Sequence, residues 1–186
     1  MPLFFIVLSY LLGSIPTAYI AGRMLKGRDI RQMGDGNMGA QNAFRQLGAR
    51  AGITVGIIDA AKGALAVLIA QSASLPLPLV MLTGAAAICG HNWPVLLRFR
   101  GGRGESTAIG VLLILVTVPM LILSVPTVLV LWRWHSVNKA SAVLFVPLSL
   151  LCWWLHYPPL LISYSVGIPC LVGLTHLLRI RFPARA

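Results

Sequence analysis

Long apolar runs alternate with short polar segments along this chain, and most runs match the thickness of a bilayer. Residues 3–21 form the first, 53–70 the second and 79–97 the third; 107–132, 140–155 and 160–178 follow. A hydrocarbon core of about 30 Å needs about 20 helical residues, so each run reads as a membrane span. The run 107–132 is the exception. It provides about 39 Å of helix, more than one crossing and less than the roughly 60 Å of two.

The polar segments decide how that run is read. Segments 23–50, 98–103, 133–139 and 179–185 hold 14 of the 15 lysines and arginines, whereas the turns "QSASLPLP" (71–78) and "HYPP" (156–159) hold none. Basic loops stay in the cytoplasm, which puts all four basic segments inside and the N-terminus outside. Either 107–132 forms a short, partly inserted helical pair broken at Pro119, so that 98–103 and 133–139 share a side, or it spans once and strands Arg133 and Lys139 outside; the charge rule favours the pair. The fold class is therefore an all-α integral membrane protein. It has about seven transmembrane segments, some short or broken, joined by glycine-rich cytoplasmic loops. Residues 1–186 are expected to form one polytopic domain in the cell membrane.

Composition agrees. The chain is 58% hydrophobic and 10% charged, with mean hydropathy +0.85, where soluble domains carry about 25% charged residues. A net charge of +11 raises nucleic acid as a partner. The charges sit in clusters between apolar runs rather than on one face, which favours anionic headgroups or anionic substrates at a membrane surface. Cys89, Cys152 and Cys170 lie in apolar stretches without metal or redox spacing and read as small hydrophobes. The first run lacks a basic flank and a clear cleavage site, so it reads as a retained span rather than a signal peptide.

Two polar stretches need a chemical reason. "MGDGNMGAQNAFRQLG" (33–48) sets glycines, Gly36 among them, beside Asn37, Asn42 and Arg45. Glycines let backbone N–H groups turn toward an anion, asparagine amides donate, and arginine grips phosphate with parallel bonds. "GHNWPVLLRFRGGRGES" (90–106) places His91 at interfacial depth ahead of Arg100, Gly101, Gly102 and Arg103. Guanidinium groups and free glycine N–H groups there can converge on one oxyanion. A plain positive-inside loop accounts for the arginines but not for the glycines or the histidine. In "DAAKG" (59–63), Asp59 and Lys62 stand three apart on a helix, and mutual neutralisation is the expected role. His135, Ser136, Asn138 and Lys139 can join the same polar face, and His176 lies near the end of the last span. With four acidic residues, no HExxH and no cysteine cluster, no metal site or cofactor is expected; Walker A and GxSxG sequences are absent too.

"GSIPTAYI", "GDGNMGAQNAFRQLG", "DAAKG" and "GHNWPVLLRFRGGRGESTAIG" follow one another in an order and spacing that resembles the bacterial membrane glycerol-3-phosphate acyltransferases using acyl phosphate as donor. The resemblance covers roughly residues 9 to 110 well and the remainder loosely. It implies seven spans, a cytoplasmic active site, and transfer of a fatty acyl group from acyl phosphate to glycerol 3-phosphate. Lysophosphatidic acid and phosphate are the implied products, without coenzyme A or metal. It also implies that Asn37, Arg45 and Arg103 touch phosphate or acceptor, and that His91 and His176 belong to the pocket. Partners are then the two substrates and membrane lipids, with a monomer expected and no nucleic acid.

The chain departs from this family where GSGN is usual, having Asp35, and where GGKGVAT is usual, having "GGRGEST". Ser136 and Lys139 stand near a usual serine pair, and Arg179 replaces an asparagine. One expectation is that Asp35 and Lys139 replaced two serines as an ion pair, since an unpaired carboxylate beside phosphate costs several kcal/mol. Another leaves Asp35 free as a base or a ligand for hydroxyls, with a different acceptor. His91, Asn37 and Asp35 are the catalytic candidates. Gly36, Asn42, Arg45, Arg100, Gly101, Gly102, Arg103, Ser136, Lys139 and His176 are the binding candidates. Two rivals stand beside this reading: a relative acylating another polyol, and a non-catalytic protein such as an anion carrier, which the one-sided placing of the polar residues disfavours.

Overall fold

The computed structural model describes residues 1–181. The end of the basic C-terminal segment, 182–186, lies outside the described residues. The described chain is helical, without strands: α1 (Pro2–Gly13), α2 (Thr17–Lys26), α3 (Ala40–Leu47), α4 (Ala49–Ser72), α5 (Leu77–Asn92), α6 (Glu105–Leu115), α7 (Thr117–Trp134), α8 (Val137–Phe145), α9 (Leu148–Trp154) and α10 (Pro159–Arg181). Six segments are long and apolar enough to cross a membrane, and α6 is a shorter apolar seventh.

The long run breaks as its length requires, but at Val116 rather than at Pro119. Pro119 sits in the first turn of α7, where an N–H has no helical partner and a proline loses little. The first run also breaks, between α1 and α2, where Pro16 has no N–H to continue the ladder. At the break the Ile15 carbonyl accepts from the Thr17 N–H at 3.1 Å and also from Lys62 Nζ at 3.0 Å. A span that reads as continuous is thus kinked, and a buried lysine fills the gap.

Two close helix crossings hold the bundle. Gly63 and Gly110 bring α4 against α6, where a Cβ would overlap the Thr107 or Ala60 backbone. Gly13 and Gly90 do the same for α1 and α5, against Ala87 and Tyr10. Without a hydrophobic force between helices in lipid, such close backbone approach supplies the association energy. Val67, Ile88, Val111, Leu112, Leu148 and Cys152 fill the core between them. Leucines, valines and tryptophans such as Trp132, Val146 and Trp153 cover the outside, a surface that suits lipid and not water. Cys89 is half-buried and Cys170 exposed, so only Cys152 is the buried hydrophobe expected.

Candidate active site

The first loop is held by its own polar groups. Asp29 caps a short helical turn, accepting from the Arg31 N–H at 2.9 Å. Its carboxylate also receives both Nε and NH2 of Arg31, the latter at 2.7 Å. The Arg31 guanidinium beside it holds the Asp29 carboxyl below the usual carboxylate range, and Asp29 raises Arg31 in turn. Asn42, buried on α3, donates from Nδ2 toward the carbonyls of Asn37 at 2.9 Å and Met33 at 3.0 Å, with Ile30 at 3.4 Å. The chain between them turns through Gly34 and Gly36, with φ of +59 and +69, a backbone region that glycine enters freely. Asp35 Oδ1 accepts from the Asn37 N–H at 3.1 Å, and Oδ2 reaches Arg103 NH2 at 3.2 Å.

The second loop folds back on the end of α5. Gly101 N–H donates to Asn92 O and Gly102 N–H to His91 O. Gly102 packs against the Nε2 edge of the His91 ring, and a Cβ there would overlap Nε2. On the other side of the ring, His91 Nδ1 stands 3.6 Å from Asp59 Oδ1. The same oxygen meets Lys62 Nζ at 2.8 Å and accepts from Thr17 Oγ1 at 3.0 Å. Asp59, Lys62 and His91 are all buried. The Asp59–Lys62 pair thus has the neutralising role expected of it, and in addition anchors the histidine.

These elements enclose a cavity of about 650 Å³. Asn37, Arg45, His91, Arg103 and His176 line it, with Gln41, Asp59, Glu105, Ser106, His135 and Asn138. Phe44, Ile53, Ile57, Leu131 and Val137 form an apolar wall. Ile53, Ile57 and Leu131 are also exposed on the outer face of the bundle, so the apolar side is continuous with the lipid-facing surface. A second cavity, of about 450 Å³, adjoins the first through Asn37 and Arg103. Arg31, Arg98, Arg100 and Arg179 line it with Asp29, Asp35, Gly36 and Gly101.

The geometry corrects several sequence expectations. Arg45, His91 and Arg103 do share one cavity, from three distant segments. Asn42 does not face it, because its amide hydrogens are committed to loop carbonyls. The N–H groups of Gly36, Gly101 and Gly102 are not free for an oxyanion: Gly36 donates to Met33 O and the other two to the end of α5. Ser136 caps α8 by accepting from the Lys139 N–H, and Lys139 Nζ lies over the Trp134 ring. Neither lines either of the two cavities described. Asp35 accordingly pairs with Arg103 and not with Lys139. Ser106 lines the larger cavity directly, and Ser141, five residues beyond Ser136, touches it only through Glu105, to which its Oγ donates. Arg179, donating to Asn92 O at 2.7 Å, and Glu105 were visible as departures without an assigned contact. No sequence spacing marks Asp59 as part of the cavity, since its link to His91 is tertiary.

A bundle of this kind, with a cationic, partly apolar cavity beside its lipid-facing surface, has the architecture of an integral membrane protein. The comparisons with known proteins make this specific. The family model for glycerol-3-phosphate acyltransferase matches residues 3–182, and the chain belongs to that family. Glycerol-3-phosphate acyltransferase 4 of Dehalococcoides mccartyi is 54% identical over 97% of this chain and 98% of its own. A glycerol-3-phosphate acyltransferase of Geotalea daltonii is 41% identical over 95% and 90%. The crystal structure of PlsY, an integral membrane glycerol 3-phosphate acyltransferase, in its glycerol 3-phosphate form, superposes with a TM-score of 0.87 at 31% identity. That match covers 97% of this chain and 90% of the other. The chain is thus a multi-pass membrane protein of an acyltransferase family.

Proposed function

We propose that this protein transfers a fatty acyl group from acyl phosphate to the 1-hydroxyl of glycerol 3-phosphate, releasing lysophosphatidic acid and inorganic phosphate. The observation that carries the reading is the composition of the larger cavity: Arg45 and Arg103 with Asn37 on one side, and Phe44, Ile53, Ile57 and Leu131 on the other. Such a space fits two phosphates and one acyl chain. Arg45 has no ion pair or hydrogen bond to the described residues, so its guanidinium is available to an incoming anion. The chain would enter sideways from lipid, past the exposed faces of Ile53 and Ile57.

Acyl phosphate is a mixed anhydride whose carbonyl is already activated, so no covalent enzyme intermediate is needed. The acceptor oxygen attacks the carbonyl carbon, the new C–O bond forms, and the bond from carbon to phosphate oxygen breaks with its electrons leaving on phosphate. The arginines offset the repulsion between two phosphates and hold the reactants together. The Asn37 amide donates toward the charge that develops on the carbonyl oxygen. The hydroxyl proton passes to His91 or to a substrate phosphate oxygen. His91→Ala separates these routes: a loss of about 100-fold or more in kcat fits the histidine, and a loss within tenfold fits the phosphate. The positive-inside bias of the basic loops supports a cytoplasmic site with the N-terminus outside, and the proposed acting unit is a single monomeric domain.

The test is purified protein in a maltoside micelle with palmitoyl phosphate and glycerol 3-phosphate. Equal amounts of phosphate and lysophosphatidic acid are expected. Phosphate release only with another polyol would point to the other acceptor, and no release with any acceptor would overturn the reading.

A further inference from the structure

Arg103 is the charged residue on the wall between the two cavities, and the structure shows it already holding an anion. One of its nitrogens, NH2, meets Asp35 Oδ2 at 3.2 Å. This contact differs from the one between Arg31 and Asp29, in which Nε and NH2 both engage the carboxylate, the closest approach being 2.7 Å. Arg103 uses a single donor toward Asp35, and its buried Nε has no partner. The fork that suits a phosphate with two parallel bonds is therefore only partly used. The pair is also partly open to solvent, with the Asp35 side chain 38% exposed and the Arg103 side chain 18%.

Asp35 is nonetheless held in place. Its other oxygen accepts from the Asn37 N–H at 3.1 Å, a local turn that fixes the carboxylate whether or not Arg103 is present. A carboxylate oxygen thus stands where an oxygen of an incoming phosphate would meet the guanidinium. The two anions compete for one cation, and while both are close they repel.

We propose that Asp35 is a specificity-determining residue that acts as an internal competitor for Arg103, which a phosphate monoester must displace and an uncharged polyol need not. Asp35 lowers the affinity of the site for phosphate and narrows its preference for phosphorylated over uncharged acceptors. This rests on the reading of Arg103 as a phosphate contact in the proposed reaction.

The test uses inorganic phosphate, which binds without donor, acceptor or turnover, so its result stands apart from the acyl-transfer assay. Phosphate is titrated calorimetrically into wild type, Asp35→Asn, Asp35→Ser, Arg103→Gln and the double variant Asp35→Asn/Arg103→Gln, all purified in maltoside. Asn and Ser both keep an acceptor for the Asn37 N–H, so the loop is retained in at least one of them. Each is expected to bind phosphate about fivefold more tightly than wild type. That factor corresponds to about 1 kcal/mol, the upper end for a partly exposed pair. Adding Asp35→Asn to Arg103→Gln is expected to change nothing, because the competitor then has nothing to compete for. In acyl transfer, the ratio of kcat/KM for glycerol 3-phosphate to that for glycerol rises by the same factor. Unchanged or weaker phosphate binding in the folded variants, or tightening that persists without Arg103, would overturn the proposal.

Discussion

Asp59–Lys62 and Asp35–Arg103 are both carboxylate–cation pairs at the edges of one cavity, and their surroundings differ. Lys62 and Asp59 are 4% and 1% exposed, 2.8 Å apart, and share a helix. Thr17 donates to the same carboxylate, and Lys62 also donates to the Ile15 carbonyl at the kink beside Pro16. Arg103 and Asp35 come from two loops and are partly wet, at 3.2 Å. Burial makes the first pair expensive to break, because either member alone would be a charge without water. Exposure makes the second pair cheap to exchange for a ligand. One kind of contact thus serves as scaffold where it is buried and as a displaceable contact where it is wet.

The largest effect should come from breaking the buried pair by half. Lys62→Met is expected to cost about 3–5 kcal/mol of stability by leaving Asp59 uncompensated. Denaturation in detergent measures this, and Asp59→Asn added to Lys62→Met should recover much of it. A loss below about 1 kcal/mol would remove the scaffold role. Arg45→Gln should act on catalysis instead. A lost charged hydrogen bond of about 1.5–3 kcal/mol lowers kcat/KM by about 10- to 100-fold, while melting shifts little, because Arg45 is an exposed residue.

Gly102→Ala sharpens the link between scaffold and site, since the added methyl meets the His91 ring. Overpacking of this kind costs about 1–3 kcal/mol, and displacement of His91 should lower kcat as well; an alanine enzyme with full activity would contradict the packing seen. The smallest effect belongs to Asp29. Its carboxyl lies below its unfolded value because Arg31 binds it, so its contribution to stability is complete above about pH 4 and is lost as pH falls through the folded value. Asp29→Asn should be about 1 kcal/mol less stable than wild type at neutral pH, and the melting curves should converge as pH falls through the lowered carboxyl pKa of folded Asp29.

The sequence shows the membrane spans, a break within 107–132 and the arginines that meet in the cavity, because hydropathy and charge are properties of the chain alone; that α7 is by itself long enough to span follows only from the observed helix bounds. It does not show which donors remain free after folding. Asn42, Gly101 and Gly102 have the chemistry for holding an anion, but the loops they belong to need their hydrogen bonds first. Ser136 and Ser141 look equivalent on paper. The helix start at Val137 makes one a cap and aims the other at Glu105. Asp35 shows the same limit from the other side: its odd place in a glycine loop is legible, but its partner is set by tertiary approach to Arg103 and not to Lys139.

In the proposed reaction two phosphate-bearing molecules meet within one cationic cavity. The most direct measurement is the formation of lysophosphatidic acid from palmitoyl phosphate and glycerol 3-phosphate by wild type and by Arg45→Gln and Arg103→Gln, with folding checked by melting. The account predicts product and phosphate in equal amounts from wild type, and a fall of at least about tenfold in kcat/KM for each variant. Equal activity in all three proteins, or no product from any, would contradict it.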